Sequence, residues 1–395
     1  MKNRNLVLTI SLVLLAAFAM TAVTSCGKEK VTTVSEWEIP FFNELTGAIA
    51  SIGEYLNWGA VYAAKEINDA GGIAGKPVKI VPVDTALDPQ KGSVEMARIV
   101  ENSLVALGPV AEPVIMAAMP IAVENEMVSI TASTSYEYAA PYFPWTISWF
   151  PPTEKRLAVI IEAFLNQYPE VKTVVQYIEP YGAWPGMASA HSYAIAQKNL
   201  KEVKVDVPTD AVAFGPIVVK AMAQKPDAVI LSCNAAKAAK IIKEMKNLGW
   251  SKMDHILVFS SADTPELYLT GGKDIEGIQI YNYVNDELDT PRWNKFKKDY
   301  MADHNGTQVP SLAPNYYDAV YMIKEAIEKG GVSGDPKKLK EDRKKISDYL
   351  ANIKNFKGLL FEWDNVNGIA LTKPTYIFRV VDGTKKLVME IKPKL

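Results

Sequence analysis

AVYAAKEINDAGGIAGKPVKIVPVD, Ala60 to Asp84, contains a helix, its stop and a strand in direct succession. Ala60, Ala63, Ala64 and Ile67 recur at helical spacing, so the first half predicts a helix with one apolar face. Gly71 and Gly72 suit a left-handed C-terminal stop, because glycine takes positive φ without steric cost. PVKIVPVD then reads as a strand. A helix that feeds straight into a strand is the unit of an α/β fold.

The unit recurs on both sides. QKGSVEMARIVENS is helical, SLVALG strand-like, VIMAAMPIAVENE helical and MVSITAS a strand. Further on, KRLAVIIEAFLNQY, PGMASAHSYAIAQKN and AAKAAKIIKEMKNLG predict helices between the strands KTVVQYI, DAVILSCN and HILVFSS. EGIQIYNYVND is strand-like, and PRWNKFKKDYMADHNG, NYYDAVYMIKEAIEKGG and PKKLKEDRKKISDYLANI are helical. GLLFEWDNVNG and KPTYIFRVVDGTKKLVMEI close the chain as strands and turns. Such alternation predicts parallel sheets flanked by helices. The basic run Lys337–Lys345 contains Glu341 and Asp342, which predicts a solvated helix face. Between the two series lies TASTSYEYAAPYFPWTISWFPP, Thr131–Pro152, rich in aromatics and interrupted by proline. Proline breaks helices and interior strands, so the segment as a whole does not read as one regular core element, while its end, TISWF, reads as a strand.

Lys2 and Arg4 precede an apolar run from Leu6 to Val23, which ends in VTSC at Cys26. That is the form of a secretory signal, and it is similar to a bacterial lipobox, whose cysteine is acylated and becomes the new N-terminus. A single transmembrane anchor is the alternative; the polar GKEKVTTVSE that follows reads as a tether. With Cys26 acylated, Cys233 is the other thiol of a chain holding 2 cysteines, and no intramolecular disulfide forms. Roughly 370 mature residues suggest two domains. A formal charge of −2 (43 basic against 45 acidic residues) lacks the footprint of a nucleic-acid binder.

Enzyme signatures are missing. His191, His255 and His304 lie far apart without metal-ligand spacing, and read as surface or helix-face histidines. The chain has no HExxH, CxxC, Walker A loop or GxSxG elbow. These absences predict no catalysis, no metal and no cofactor.

ELTGAIASIGEYLNWGAVYAAKEINDAGGIAGKPVKIVPVDTALDPQKG, Glu44–Gly92, resembles the type I periplasmic solute-binding proteins of ABC importers, in the branch that binds leucine, isoleucine and valine. PYG at Pro180–Gly182, KPDAVIL, NLGW, DTPEL and YDAVYMIKEAIEKGG follow in the order of that family. The resemblance implies an α/β protein of two doubly wound parallel-sheet lobes joined by a three-crossing hinge. It divides the chain into a signal peptide (1–25), a tether (26–36), lobe 1 (37–149 plus 282–355) and lobe 2 (150–281 plus 356–395). It also implies a ligand site at the carboxyl ends of strands.

On this resemblance Ser133, Thr134 and Ser135, in the loop after MVSITAS, match positions that hold a ligand carboxylate; ordinary turn chemistry is the other reading. Glu112 stands where relatives carry a small hydroxyl residue. It either faces a cationic or hydroxylated group or simply opens a helix. Ile52 replaces an aromatic of the first loop, Tyr181 matches a cleft tyrosine, and Trp184 follows close by. Asn234 falls where an aromatic is expected. Ser261 or Ala262 falls nearest the usual ammonium-binding acid, with Asp263 one step on. Tyr281 and Trp149 border the expected hinge crossings. The implied function is an extracytoplasmic, lipid-anchored receptor that captures a small solute, amino-acid-like or aromatic, for a membrane permease. A receptor that reports its solute to a membrane sensor uses the same clamp.

Overall fold

The computed structural model describes residues 33–47, 49–132, 140–148, 153–180, 184–360, 362–365, 368 and 374–392. Its first sheet begins with β1 (Trp37–Asn43), which runs parallel to β2 (Val78–Asp84) and to β3 (Val105–Leu107). β4 (Val128–Thr131) and β5 (Thr146–Ser148) extend it, again parallel, to the order β2-β1-β3-β4-β5. Helix α1 (Ala50–Asp69) follows β1, α2 (Pro89–Ile99) follows β2 and α3 (Glu112–Glu124) follows β3. Asp88 caps α2 by accepting from the Gln90 amide at 2.8 Å, and Pro89 occupies the first turn, where a missing N–H costs nothing.

The second sheet repeats the arrangement. α4 (Thr153–Asn166) precedes β6 (Thr173–Ile178), α5 (Trp184–Gln197) leads to β7 (Lys201–Asp206), and α6 (Gly215–Met222) to β8 (Ala228–Ser232). α7 (Ala235–Asn247), β9 (Ile256–Val258), α8 (Pro265–Gly271) and β10 (Gln279–Asn282) continue the series. β7-β6-β8-β9-β10 are parallel neighbours. The chain then returns to the first sheet with α9 (Pro291–Asp303), α10 (Ala313–Gly330) and α11 (Leu339–Ala351). A short hairpin, β11 (Phe356–Lys357) with β12 (Glu362–Trp363), follows. β13 (Thr375–Val381) and β14 (Thr384–Ile391) close the second sheet as antiparallel edge strands. The order β14-β13-β10-β9-β8-β6-β7 thus contains the same doubly wound core as the first sheet.

Burial explains the apolar runs. Every residue of β3, β4, β8, β9 and β10 is buried, as expected for strands covered on both faces. β14 instead alternates exposed and half-buried residues along the sheet edge.

Two sequence expectations need correction. The run Lys337–Lys345 is not wholly a solvated face: Arg343 is buried and donates to the carbonyls of Ser103 (2.9 Å) and Asn125 (2.8 Å), and also to Val100. These carbonyls follow the ends of α2 and α3, so α11 is stapled to the first sheet by satisfying helix-terminal acceptors. One histidine also differs: His255 is buried outside any α-helix, whereas His191 lies on the buried face of α5 against Gln176 (3.0 Å), where burial holds its imidazole down at about 3. Among the described residues no helix is long and apolar enough to cross a membrane.

Candidate solute-binding site

In a doubly wound sheet the strand order reverses at one point, leaving a crevice at the carboxyl ends where ligands bind. Here those points fall between β1 and β3 and between β6 and β8. A cavity of about 120 Å³ joins the two regions. Ile49, Ser51 and Ile52 line it from the start of α1, and Trp184 from the start of α5. Asn234 lines it from the cap of α7, and Ser261 and Glu266 border it from the segment that enters α8 and from α8 itself.

Ile52, Trp184, Asn234 and Ser261 are therefore brought together from both lobes. Trp184 Nε1 donates to Ser261 Oγ at 3.1 Å, which fixes the indole against the loop after β9. Asn234 caps α7 by accepting from the Lys237 amide at 3.0 Å. Glu179, at the end of β6, accepts the Asn234 backbone amide at 2.9 Å and pairs with the Lys237 ammonium; both side chains are buried. The first turns of α1 and α7 carry no acidic residue, so their positive ends are not offset there by a carboxylate of their own helix. The helix starts suit an anionic group set against an indole, whereas the Glu266 carboxylate on the α8 wall suits a hydrogen-bond donor or a cation.

Other expected site residues lie elsewhere. Asp263 is buried and occupied: it accepts from Tyr268 Oη (2.8 Å) and Asn282 Nδ2 (2.6 Å) and pairs with Lys385. Tyr281 is fully buried in the core, its ring edge-on to Phe259 at 4.9 Å. Glu112 is the first residue of α3 and half-buried. Ser133, Thr134, Ser135, Trp149, Tyr181 and Cys26 lie outside the described residues.

Two carboxylates escaped the sequence reading. Glu266 Oε1 accepts from Tyr55 Oη at 2.9 Å, a bond between α1 and α8, while Oε2 is buried without a hydrogen bond. Its signal was the acidic residue within DTPEL. Glu44, directly after β1, is fully buried, and Thr85 Oγ1 donates to its Oε1 at 2.9 Å. Burial raises its carboxyl to about 7, against the opposing hydrogen bonds from Thr85 and the Ala111 backbone. Neighbouring Asp84 behaves oppositely. Burial raises it too, but the Thr46 hydroxyl and the amides of Ala86, Leu45 and Thr46 outweigh that and hold it at about 2. Among the described residues no group of three or more His, Cys, Asp or Glu side chains is placed to hold a metal.

The family described as periplasmic binding protein matches residues 36–385 of the chain. A Leu/Ile/Val-binding protein homologue of Brucella melitensis is 25% identical over 297 residues, 74% of this chain and 78% of that protein. A leucine-binding protein of Thermotoga maritima superposes with a TM-score of 0.77 at 22% identity, covering 90% of this chain and 99% of the other. A solute-binding protein of an ABC transporter from R. palustris, solved with benzoate, gives 0.77 at 18% identity, with 91% and 97% covered. Both superpositions show the same fold. The chain belongs to the periplasmic binding protein family.

Proposed function

We propose that the protein captures a small organic carboxylate between its lobes and delivers it to an ABC import permease, with acylated Cys26 holding it at the outer face of a membrane. The observation that carries this reading is the meeting of Ile52, Trp184, Asn234 and Ser261 in one cavity. One wall comes from the start of α1 and the other from the starts of α5, α7 and α8, so closing the lobes encloses whatever lies between them. The names of similar proteins support the solute class: leucine, isoleucine and valine on one side, benzoate on another. All are small carboxylates with an apolar body. The helix starts suit the carboxylate, and Trp184 and Ile52 suit the body. Ser133 and Ser135 complete the carboxylate side in this reading, and Tyr181 the apolar side. In this reading lobe 1 takes 37–149 and 282–355 and lobe 2 takes 150–281 and the strands β13 and β14; the hairpin β11–β12 goes with lobe 1, where Leu359 N–H donates to Asp318 at 2.8 Å and Asn365 Nδ2 to the Leu350 carbonyl at 2.7 Å.

Calorimetric titration with L-leucine, L-isoleucine and benzoate, beside native mass spectrometry of the purified protein, tests the reading. Micromolar or tighter binding of one of these, or a co-purified carboxylate, is the expected result. A protein that carries nothing and binds none of the three would overturn it. Radiolabelled fatty-acid incorporation that persists in Cys26→Ala would overturn the anchor.

A further inference from the structure

The two lobes repeat one device with one difference. β1 ends at Asn43 and Glu44 follows; β6 ends at Ile178 and Glu179 follows. Both glutamates are fully buried, and each directly follows a strand that borders its sheet's reversal point. Glu179 has a cation, the Lys237 ammonium. Glu44 enters no ion pair among the described residues, and its Oε2 is buried without a hydrogen bond. Around it stand Thr85 and Asp84 at the end of β2, Tyr316 on α10, and the Ala111 amide that precedes Glu112 on α3. Lys91 on α2 is nearby but pairs with Asp84, at 3.5 Å.

Glu44 is also tied mechanically to the cavity wall. A β-carbon on Gly53 would lie 2.0 Å from the Glu44 carbonyl oxygen, so the first turns of α1 rest directly on this residue. That same stretch supplies Ile49, Ser51 and Ile52 to the cavity. A buried negative charge at this place opposes an anion at the start of α1, because charges interact strongly where water is excluded. Lys237 offsets the charge of Glu179 in the second lobe, and Glu266 on the cavity wall is met by the Tyr55 hydroxyl at 2.9 Å; for Glu44 a proton is the available means.

We infer that Glu44 selects the charge of the solute: protonated, it leaves the helix starts of the first lobe to a solute carboxylate, and ionised, it repels one. Binding of a carboxylate is then coupled to proton uptake at Glu44. This rests on the reading of the cavity as the solute site. With the carboxyl raised to about 7 by burial, both forms are populated at neutral pH.

The test is calorimetric affinity at pH 6 and pH 8 for benzoate and 4-methylpentanoate, both monoanions, and for zwitterionic L-leucine. One linked proton makes wild-type binding of the monoanions roughly five- to tenfold weaker at pH 8 than at pH 6. L-leucine changes less. Glu44→Gln keeps the size and the acceptor for Thr85, and is expected to hold the pH 6 affinity at both pH values. Thr85→Val, which removes the donor that favours the anion, is expected to move the midpoint of the pH profile upward. Wild-type affinity that is flat with pH, or a pH 8 loss retained in Glu44→Gln, overturns the assignment while leaving the solute site intact. Failure of all three probes to bind wild type at either pH overturns the solute site and this assignment with it.

Discussion

Lys385 and Asp263, 122 residues apart, form a buried ion pair that joins the last strand of the second sheet to the loop after β9. Lys385 also pairs with Asp286, in the segment that leaves β10 for the first sheet. One ammonium thus holds three stretches of chain together. Replacing it leaves two carboxylates without their shared cation, Asp263 buried and Asp286 half-buried. Lys385→Met is expected to cost about 3–5 kcal/mol of unfolding free energy, read from urea denaturation. Adding Asp263→Asn is expected to restore part of the loss; an unchanged midpoint in the single variant would show the pair to be dispensable.

Glu44 makes stability depend on pH. Its folded pKa of about 7 exceeds the ordinary 4.5, so the folded chain holds the proton more tightly than the unfolded one. The contribution of the protonated form is complete below 4.5, declines from there to 7, and is gone above 7. Glu44→Gln is therefore expected to be as stable as wild type at pH 4 and more stable at pH 8, by roughly 2–3 kcal/mol. Parallel urea curves at both pH values check this without any solute.

Arg343 satisfies carbonyls of two helix-terminal segments at once. Arg343→Met leaves those of Val100, Ser103 and Asn125 without their donor. An expected loss of about 2–4 kcal/mol follows from desolvated acceptors left unmet, again measured by denaturation. Arg343→Lys recovers little, since a single ammonium does not reproduce the planar fork.

Trp184 is the indole wall of the cavity. Trp184→Ala is expected to weaken benzoate or leucine binding at least tenfold, about 1.4 kcal/mol or more. Ser261→Ala, which removes only the acceptor of the indole N–H, is expected to cost less. Titrations of the two variants set the order, and an inverted order would place the solute against Ser261 rather than the ring.

Much of the fold was legible because its signals are local. KTVVQYI and DAVILSCN are continuous apolar runs since their strands are covered on both faces, and the helices between them carry one apolar stripe each. The lobes of the family followed from motifs such as EINDAGGIAGKPV. Ile52, Trp184, Asn234 and Ser261 fell at the carboxyl ends of strands and starts of helices, where the order of elements alone brings them together. The misses are of another kind. Asp263 looked available because Lys385 lies 122 residues away in sequence, and partners so distant leave no local trace. Arg343 looked solvated because its neighbours in the run are charged, and only the helix ends it meets reveal otherwise. Glu44 was read as part of a loop motif; the clue was an acidic residue directly after the apolar strand WEIPFFN, echoed by Glu179 after TVVQYI.

The close seat of Gly53 on Glu44 has a practical consequence for anyone who would retarget this receptor. The wall formed by α1 cannot be widened by shifting the helix, because its backbone already touches the strand end beneath it. New solutes on that side must be accommodated by exchanging the side chains of Ser51 and Ile52. On the opposite wall the indole of Trp184 is itself buried and bonded to Ser261 at 3.1 Å, so any exchange there has to replace both its volume and that hydrogen bond.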